Sequence, residues 1–229
     1  MPISKTYNMD CMEYMKSISD KFFDLAIVDP PYGIDKKSTH RRGKLKNRCL
    51  NSGNIQRWDT RPSKEYFEEL FRVSKNQIIW GGNYFNLPPT RCIICWDKMQ
   101  PWPNFSQIEI AWTSFNSPAK IFKYDNRTDD KIHPTQKPIS LYAWILKNYA
   151  KSGNKIFDSH LGSGSNRIAA YKLGFDFYAT EIDKDYFEAQ EDRFRRECYG
   201  EIKTEKGTLI QTSLFGVKPI RNEHWNISS

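Results

Sequence analysis

The chain has 229 residues, 38% hydrophobic, 14% aromatic and 27% charged, a composition that can bury a core without disulfide staples and excludes a disordered chain. No run approaches the roughly eighteen apolar residues of a membrane span. The opening M-P-I-S-K-T-Y-N-M-D lacks an apolar signal core, and the five cysteines (Cys11, Cys49, Cys92, Cys95, Cys198) follow no framework pattern, so the expectation is a cytosolic protein with reduced thiols and no membrane contact.

In chain order, Met12, Met15 and Ile18 predict a short helix within Met9–Ile18. The apolar run Asp24–Val28, stopped by Asp29-Pro30-Pro31-Tyr32, reads as a buried parallel strand. Ser63 is placed to cap a helix over Lys64–Val73 whose apolar face is Tyr66, Phe67, Leu70, Phe71 and Val73. Gln77–Trp80 is a strand stopped by Gly81-Gly82, and Arg91–Trp96 and Ile108–Trp112 are neighbouring strands. Pro138 starts a helix running to about Lys151. Lys155–Asp158 is a strand, Asn166–Leu173 a helix ended by Gly174, Phe175–Thr180 a strand and Asp185–Glu197 a helix. Strands alternating with helices predict one α/β domain over residues 1–229, with an open, largely parallel sheet, a basic insertion over 33–60 and a polar tail over 200–229.

The net charge of +8 comes from 35 Lys plus Arg against 27 Asp plus Glu. Lys36, Lys37, Arg41, Arg42, Lys44, Lys46, Arg48 and Arg57 fall in one stretch without an acidic residue and account for the whole excess. Such a run is either a solvated loop or a polyanion site. Its place inside the chain, directly after the Asp-Pro-Pro-Tyr turn, favours contact with a phosphate backbone.

Ligands of open parallel sheets bind at the carboxyl ends of strands. Three chemically loaded segments fall there: Asp29–Tyr32, Asp158–Ser165 and Glu181–Asp183. Lys155 to Ser165 (K-I-F-D-S-H-L-G-S-G-S) is strand, glycine turn and helix start, where Gly162 and Gly164 let a ligand approach the backbone. Glu181, at the next strand end, is spaced to accept both hydroxyls of a ribose; the alternative is a solvated carboxylate. A dinucleotide fingerprint would need glycine where Arg167 stands, so a mononucleoside cofactor with an amino-acid tail fits better. In Asp29-Pro30-Pro31-Tyr32, two prolines stiffen the turn. Asp29 and the Pro30 carbonyl can then accept the two N–H bonds of an exocyclic amine while Tyr32 stacks on the heterocycle. Holding both hydrogens out of conjugation gives the nitrogen lone pair sp3 character, and the Asp29 charge stabilises the cation that develops on methyl transfer.

These residues resemble the amino-group DNA methyltransferases that use S-adenosyl-L-methionine. D-P-P-Y at Asp29–Tyr32 is similar to that family's catalytic motif, F-D-S-H-L-G-S-G-S at Phe157–Ser165 to its glycine loop, and H-P-T-Q-K-P at His133–Pro138 to the segment before that loop. Catalytic motif first and cofactor loop late is the permuted order of the β group, many of whose members methylate adenine N6. The loop departs from the commoner D-P-F-x-G-S-G-T at Ser159-His160 and Ser165.

The resemblance implies a Rossmann-like methyltransferase fold with a mostly parallel seven-stranded sheet and helices on both faces. It implies catalytic roles for Asp29, Pro30 and Tyr32. It also implies cofactor contacts from Thr135, Gln136 and Lys137 at the methionine end, from Asp158 at the amino group, from the loop residues His160, Gly162, Ser163 and Gly164, from Glu181, and from Ile182 against adenine. Asp10 matches an acidic position near the adenine amine, or caps the helix from Met12. The partner implied is double-stranded DNA with the target base flipped out, gripped by Arg41, Arg42, Lys44 and Arg48 on the basic loop, because the segment before His133 (about Ile121–Lys131) is short for a recognition region. Cytosine-N4 methylation uses the same chemistry, often with Ser at the position of Asp29. A non-catalytic DNA-binding module is a rival of another class.

Three further signals stand apart. Cys92-x-x-Cys95 reads as two core thiols rather than a zinc site, because positions three apart on a strand point to opposite faces. Trp80, Trp96 and Trp112 are core or base-pocket residues, and Trp102 sits on a loop suited to DNA. Gln211–Phe215 (Q-T-S-L-F) resembles the Q-x-x-L-F peptides that dock on bacterial sliding clamps, a match short enough to arise by chance.

Overall fold

The structure is a computed structural model in which residues 1–34, 60–102, 106–125, 131–133, 135–204 and 207–210 are described. The basic residues from Lys36 to Arg57 and the Gln211–Phe215 peptide lie outside the described residues. The strands are β1 (Ser4–Tyr7), β2 (Phe23–Val28), β3 (Ser74–Trp80), β4 (Ile93–Asp97), β5 (Ile108–Thr113), β6 (Lys120–Lys123), β7 (Lys155–Asp158), β8 (Asp176–Thr180), β9 (Glu201–Thr204) and β10 (Gly207–Ile210). The helices are α1 (Cys11–Lys16), α2 (Lys64–Val73), α3 (Ile139–Tyr149), α4 (Ser165–Leu173) and α5 (Lys184–Tyr199).

Among the described residues one sheet holds eight strands in the order β1-β8-β7-β2-β3-β5-β4-β6. Only β5 runs against the rest: β3 and β4 both pair with it antiparallel, and every other pairing in this sheet is parallel. The expected count of seven strands is corrected by β6. This edge strand is four residues long with a lysine at each end, so it shows no apolar run, yet it pairs in parallel with β4 from Ile94↔Lys120 to Asp97↔Lys123. Strand β3 begins three residues before the apolar run that marks it, because Ser74 and Asn76 pair through their backbones with Phe23 and Leu25 of β2 whatever their side chains. The segment read as a polar tail opens instead as the antiparallel hairpin β9–β10.

Alternation along β2 builds both cores. Leu25 and Ile27 join Ile78, Trp80, Trp96, Ile156 and Phe177 under α3 and α4. Ala26 and Val28 join Phe23, Phe157 and Tyr178 under α1 and α2. The Phe23 and Phe157 rings stack with centroids 4.6 Å apart. Helix α2 forms where expected, although Ser63 makes no side-chain cap.

Arg167, which stands where a dinucleotide fold has glycine, is structural. Its guanidinium is buried against the Phe194 ring at 3.8 Å and donates to Glu191 (2.6 Å), Gln190 (3.0 Å) and Ser4 (2.9 Å), tying α4 to α5 and β1. Arg167→Ala removes the ion pair but leaves Glu191 accepting from Thr6 (2.8 Å), and is expected to cost about 1.5–3 kcal/mol of unfolding free energy, read from urea denaturation.

Candidate active site

Strands β8, β7 and β2 lie side by side and run the same way, so their carboxyl ends face the same side of the sheet, where a crevice for ligands is expected. Asp29 follows β2, Asp158 ends β7 and Glu181 follows β8. Asn166, at the start of α4, donates from one amide nitrogen to the Ile27 carbonyl (3.1 Å) and to Asp158 Oδ2 (3.0 Å), and so locks the β2 and β7 ends together. Burial raises the Asp158 carboxyl to about 8, and the neighbouring charges of Asp29 and Glu181 push in the same direction. It is therefore mainly protonated at neutral pH.

The glycine turn brings Gly162 and Gly164 into the left-handed region, with φ of 52° and 73°. Glu181 accepts from the Gly162 N–H (2.8 Å) and the Asp183 N–H (3.0 Å), and burial raises its carboxyl. The Asn8 amide donates to the Glu181 carbonyl (2.8 Å), which draws the Asn8–Asp10 corner to the same loop. Asp10 caps α1, accepting from the Met12 N–H at 2.7 Å. Ile182 is 62% exposed, an open apolar face beside a nearly buried carboxylate. His133 comes within 3.7 Å of where a Gly162 Cβ would stand and packs edge-on to Tyr186, so the His133–Pro138 segment adjoins the glycine turn. Thr135 bonds back to His133 and the Gln136 side chain accepts from the Ile132 N–H, bracing that segment internally. His160 is half-buried and desolvation pushes its imidazole down to about 4, with its Nδ1 2.9 Å from Ser159 Oγ, which in turn meets the Tyr66 hydroxyl at 2.6 Å.

On the other side of the crevice, the Tyr32 hydroxyl donates to Asp29 Oδ1 at 2.7 Å. Tyr32 stacks on Tyr84, centroids 5.0 Å apart, and Phe85 meets it edge-on. Gly81 (φ 69°) makes room for this ring: a Cβ there would stand 2.2 Å from Tyr32 Cε1. Lys137, expected at the methionine end of the cofactor, is paired here with Asp29. Its ammonium is buried and meets Asp29 Oδ2, with Glu109 Oε2 3.1 Å away and the Trp80 ring at 5.1 Å, because a buried cation needs carboxylate partners. Glu109 also pairs with Lys98 at 2.5 Å, and these two cations hold its carboxyl down at about 2 against the opposing effect of burial. Trp80 and Trp96 are fully buried, Trp112 is partly buried, and Trp102 is exposed.

Glu109, Asn166 and Gly81 were not singled out as site residues from sequence; only the lone acidic residue in the apolar run I-E-I-A-W hinted at the first. The donor set suits a nucleoside carrying an amino-acid tail. Asn166 Oδ1 is buried with no hydrogen-bond partner among the described residues, beside the Asp158 carboxyl, which together offer acceptors for an amine. Glu181 and Ile182 offer a carboxylate and an apolar surface for ribose and base.

A family model described as DNA methylase, of the N6/N4 type, matches residues 79–192. The chain belongs to the N6/N4 DNA methylase family. It is a methyltransferase of the β group of amino-methyltransferases, acting on exocyclic amines of DNA with S-adenosyl-L-methionine as cofactor. It is 24% identical to the type II methyltransferase M2.MboI of Moraxella bovis, over 82% of this chain and 86% of that one. It is 28% identical to M2.DpnII of Streptococcus pneumoniae over 63% of this chain, a match that spans 51% of that protein. Its fold is similar to that of the M1.HpyAVI–SAM complex (TM-score 0.55, 19% identity, 82% of this chain and 98% of that one). It is also similar to the PvuII cytosine-N4-specific DNA methyltransferase (TM-score 0.58, 13% identity, 85% and 87%).

Two outcomes follow for this methylase. Gly81→Ala is expected to lose more stability than Gly174→Ala. Both glycines have a left-handed backbone, worth about 1–2 kcal/mol, but only at Gly81 must an aromatic ring also move, while nothing lies within 4 Å of a Gly174 Cβ. The difference between the two, read by chemical denaturation, reports the Tyr32 seat. Asp158 titrates near 4 when unfolded and near 8 when folded, so the folded state binds the extra proton and this group's stabilising effect is lost as pH rises from about 4 to about 8. Asp158→Asn removes that slope, and its unfolding free energy relative to wild type is expected to climb between pH 5 and pH 8.5.

Proposed function

We propose that this enzyme methylates the N6 amine of adenine in duplex DNA, at a specific sequence, with the target base turned out of the helix. The observation that carries the reading is Asp29: an acidic first residue of the tetrad, held on a proline-stiffened turn, in the family where cytosine-N4 enzymes often carry serine there. Bound S-adenosyl-L-methionine supplies an electrophilic methyl group on a sulfonium. The chain's own residues then bind and orient. Asp158 and Asn166 take the amine of the methionine tail, and Thr135 and Gln136 lie at the same end. The Gly162–Gly164 turn, with Ser163 and His160, lets the cofactor approach the backbone, Glu181 accepts from the ribose, and Ile182 and Asp10 flank the adenine.

On the substrate side, Asp29 and the Pro30 carbonyl accept the two N–H bonds of the target amine. The Tyr32 ring gives the flipped base a stacking surface. As the methyl group is received, the Asp29 carboxylate stabilises the positive charge on nitrogen, and the surplus proton of the amine then passes to solvent water. The basic residues between Lys36 and Arg57 hold the phosphates around the extruded base. The relatives in type II modification systems support a sequence-specific substrate.

DNA from cells expressing the protein, sequenced with modified-base detection, is expected to carry N6-methyladenine in one short motif, and Asp29→Ala to reduce it at least about a hundredfold. N4-methylcytosine in its place would overturn the adenine reading. Unmodified DNA would overturn the reading as an active enzyme.

A further inference from the structure

Asp29 has both oxygens engaged, Oδ1 by the Tyr32 hydroxyl and Oδ2 by the Lys137 ammonium. An amine that is to be held by Asp29 needs one of them to yield. Lys137 is 3% exposed, so its ammonium cannot withdraw into water, and a buried cation without a counter-ion is strongly unfavourable. Glu109 stands ready as the second partner. Its Oε2 lies 3.1 Å from the same nitrogen yet is buried and makes no well-aligned hydrogen bond among the described residues. Its Oε1 is anchored by Lys98 at 2.5 Å, so the carboxylate does not need to swing. The Trp80 ring, 5.1 Å from the ammonium, gives the cation a polarisable surface across which to shift.

We propose that Glu109 is a positioning residue: it takes over the Lys137 ammonium so that Asp29 is freed to receive the target amine. This rests on the role given to Asp29 above. The ammonium stays protonated in both positions, and no covalent bond forms or breaks. The same exchange serves an adenine or a cytosine amine, since neither Lys137 nor Glu109 needs to read the ring.

The test compares wild type, Glu109→Gln and Glu109→Asp on DNA carrying the motif found by sequencing. Cofactor affinity is measured by calorimetry and methyl transfer in a single turnover. In Glu109→Gln, Lys137 stays on Asp29: the cofactor dissociation constant is expected to remain within about twofold while the single-turnover rate falls at least about tenfold. Glu109→Asp, which keeps the charge, is expected to recover part of that rate. An unchanged rate in the Gln variant overturns the proposal. So does a parallel loss of rate, cofactor affinity and thermal stability, which marks a merely structural ion pair. If the Gln variant does not fold, the Asp variant decides by the same measurements: a rate loss without an affinity loss supports the proposal, and wild-type behaviour overturns it. Wild-type transfer to cytosine N4 removes the adenine reading and leaves this proposal standing. A wild type that methylates no DNA removes both.

Discussion

Strand β2 lies between β7 and β3, with β8 one place further, and all four run in one direction. That shared direction is the constraint on which the chemistry depends. Parallel neighbours present the same end to the same side of the sheet, so the turns that follow β2, β7 and β8 have no choice but to meet. Residues far apart in the chain become hydrogen-bond partners: the Asn166 amide and the Ile27 carbonyl are separated by 139 positions. The crossover helices cover both faces, leaving the strand ends as the place where polar groups can gather without interrupting a hydrophobic core.

The one reversed strand matters as much. Because β5 runs against its neighbours, its first residues rather than its last reach the crevice, and Glu109 arrives there between Ile108 and Ile110. A parallel strand with the same sequence would put this carboxylate at the far edge of the sheet. In place, it continues an alternating chain of charges, Asp29, Lys137, Glu109 and Lys98, in which every carboxylate touches an ammonium. Two negative and two positive groups cancel, and Asp158, kept mainly protonated by burial, adds little charge at neutral pH. Charges taken out of bulk water, as the buried Lys137 is, are tolerated far better in such a set than in an unbalanced one.

What could be read from the residues divides along physical lines. Buried central strands announce themselves as apolar runs, so β2, β7 and β8 and the helices over them were legible, as was the order that brings Asp29, Asp158 and Glu181 to strand ends. Edge strand β6 was not, since Lys-Ile-Phe-Lys has neither length nor pattern and is held by its partner's backbone. The start of β3 at Ser74 is invisible for the same reason. Motifs point to residues whose chemistry is local, such as the D-P-P-Y turn. They are silent on residues that matter through a distant partner. Glu109 acquires its meaning from Lys137, Asn166 from the Ile27 carbonyl and Asp158, and Gly81 from the ring of Tyr32. Gly81-Gly82 could be seen to stop a strand, but not to clear a space.

The division of labour between stiff and soft parts explains why the moving piece is a lysine. Asp29 precedes two prolines, whose fixed φ angles and missing donors leave the turn little freedom. Tyr32 is wedged between Tyr84, Phe85 and the bare backbone of Gly81, so displacing its ring disturbs several contacts at once. Lys137 reaches the carboxylate on a long unbranched stem, and it has a second carboxylate within ion-pairing distance. A geometry that must present an acceptor at a fixed point, and yet keep that acceptor neutralised until a substrate arrives, is met by a rigid acid and a flexible base. Small torsions along the lysine stem shift the ammonium while the backbone that defines the acceptor stays where the prolines put it.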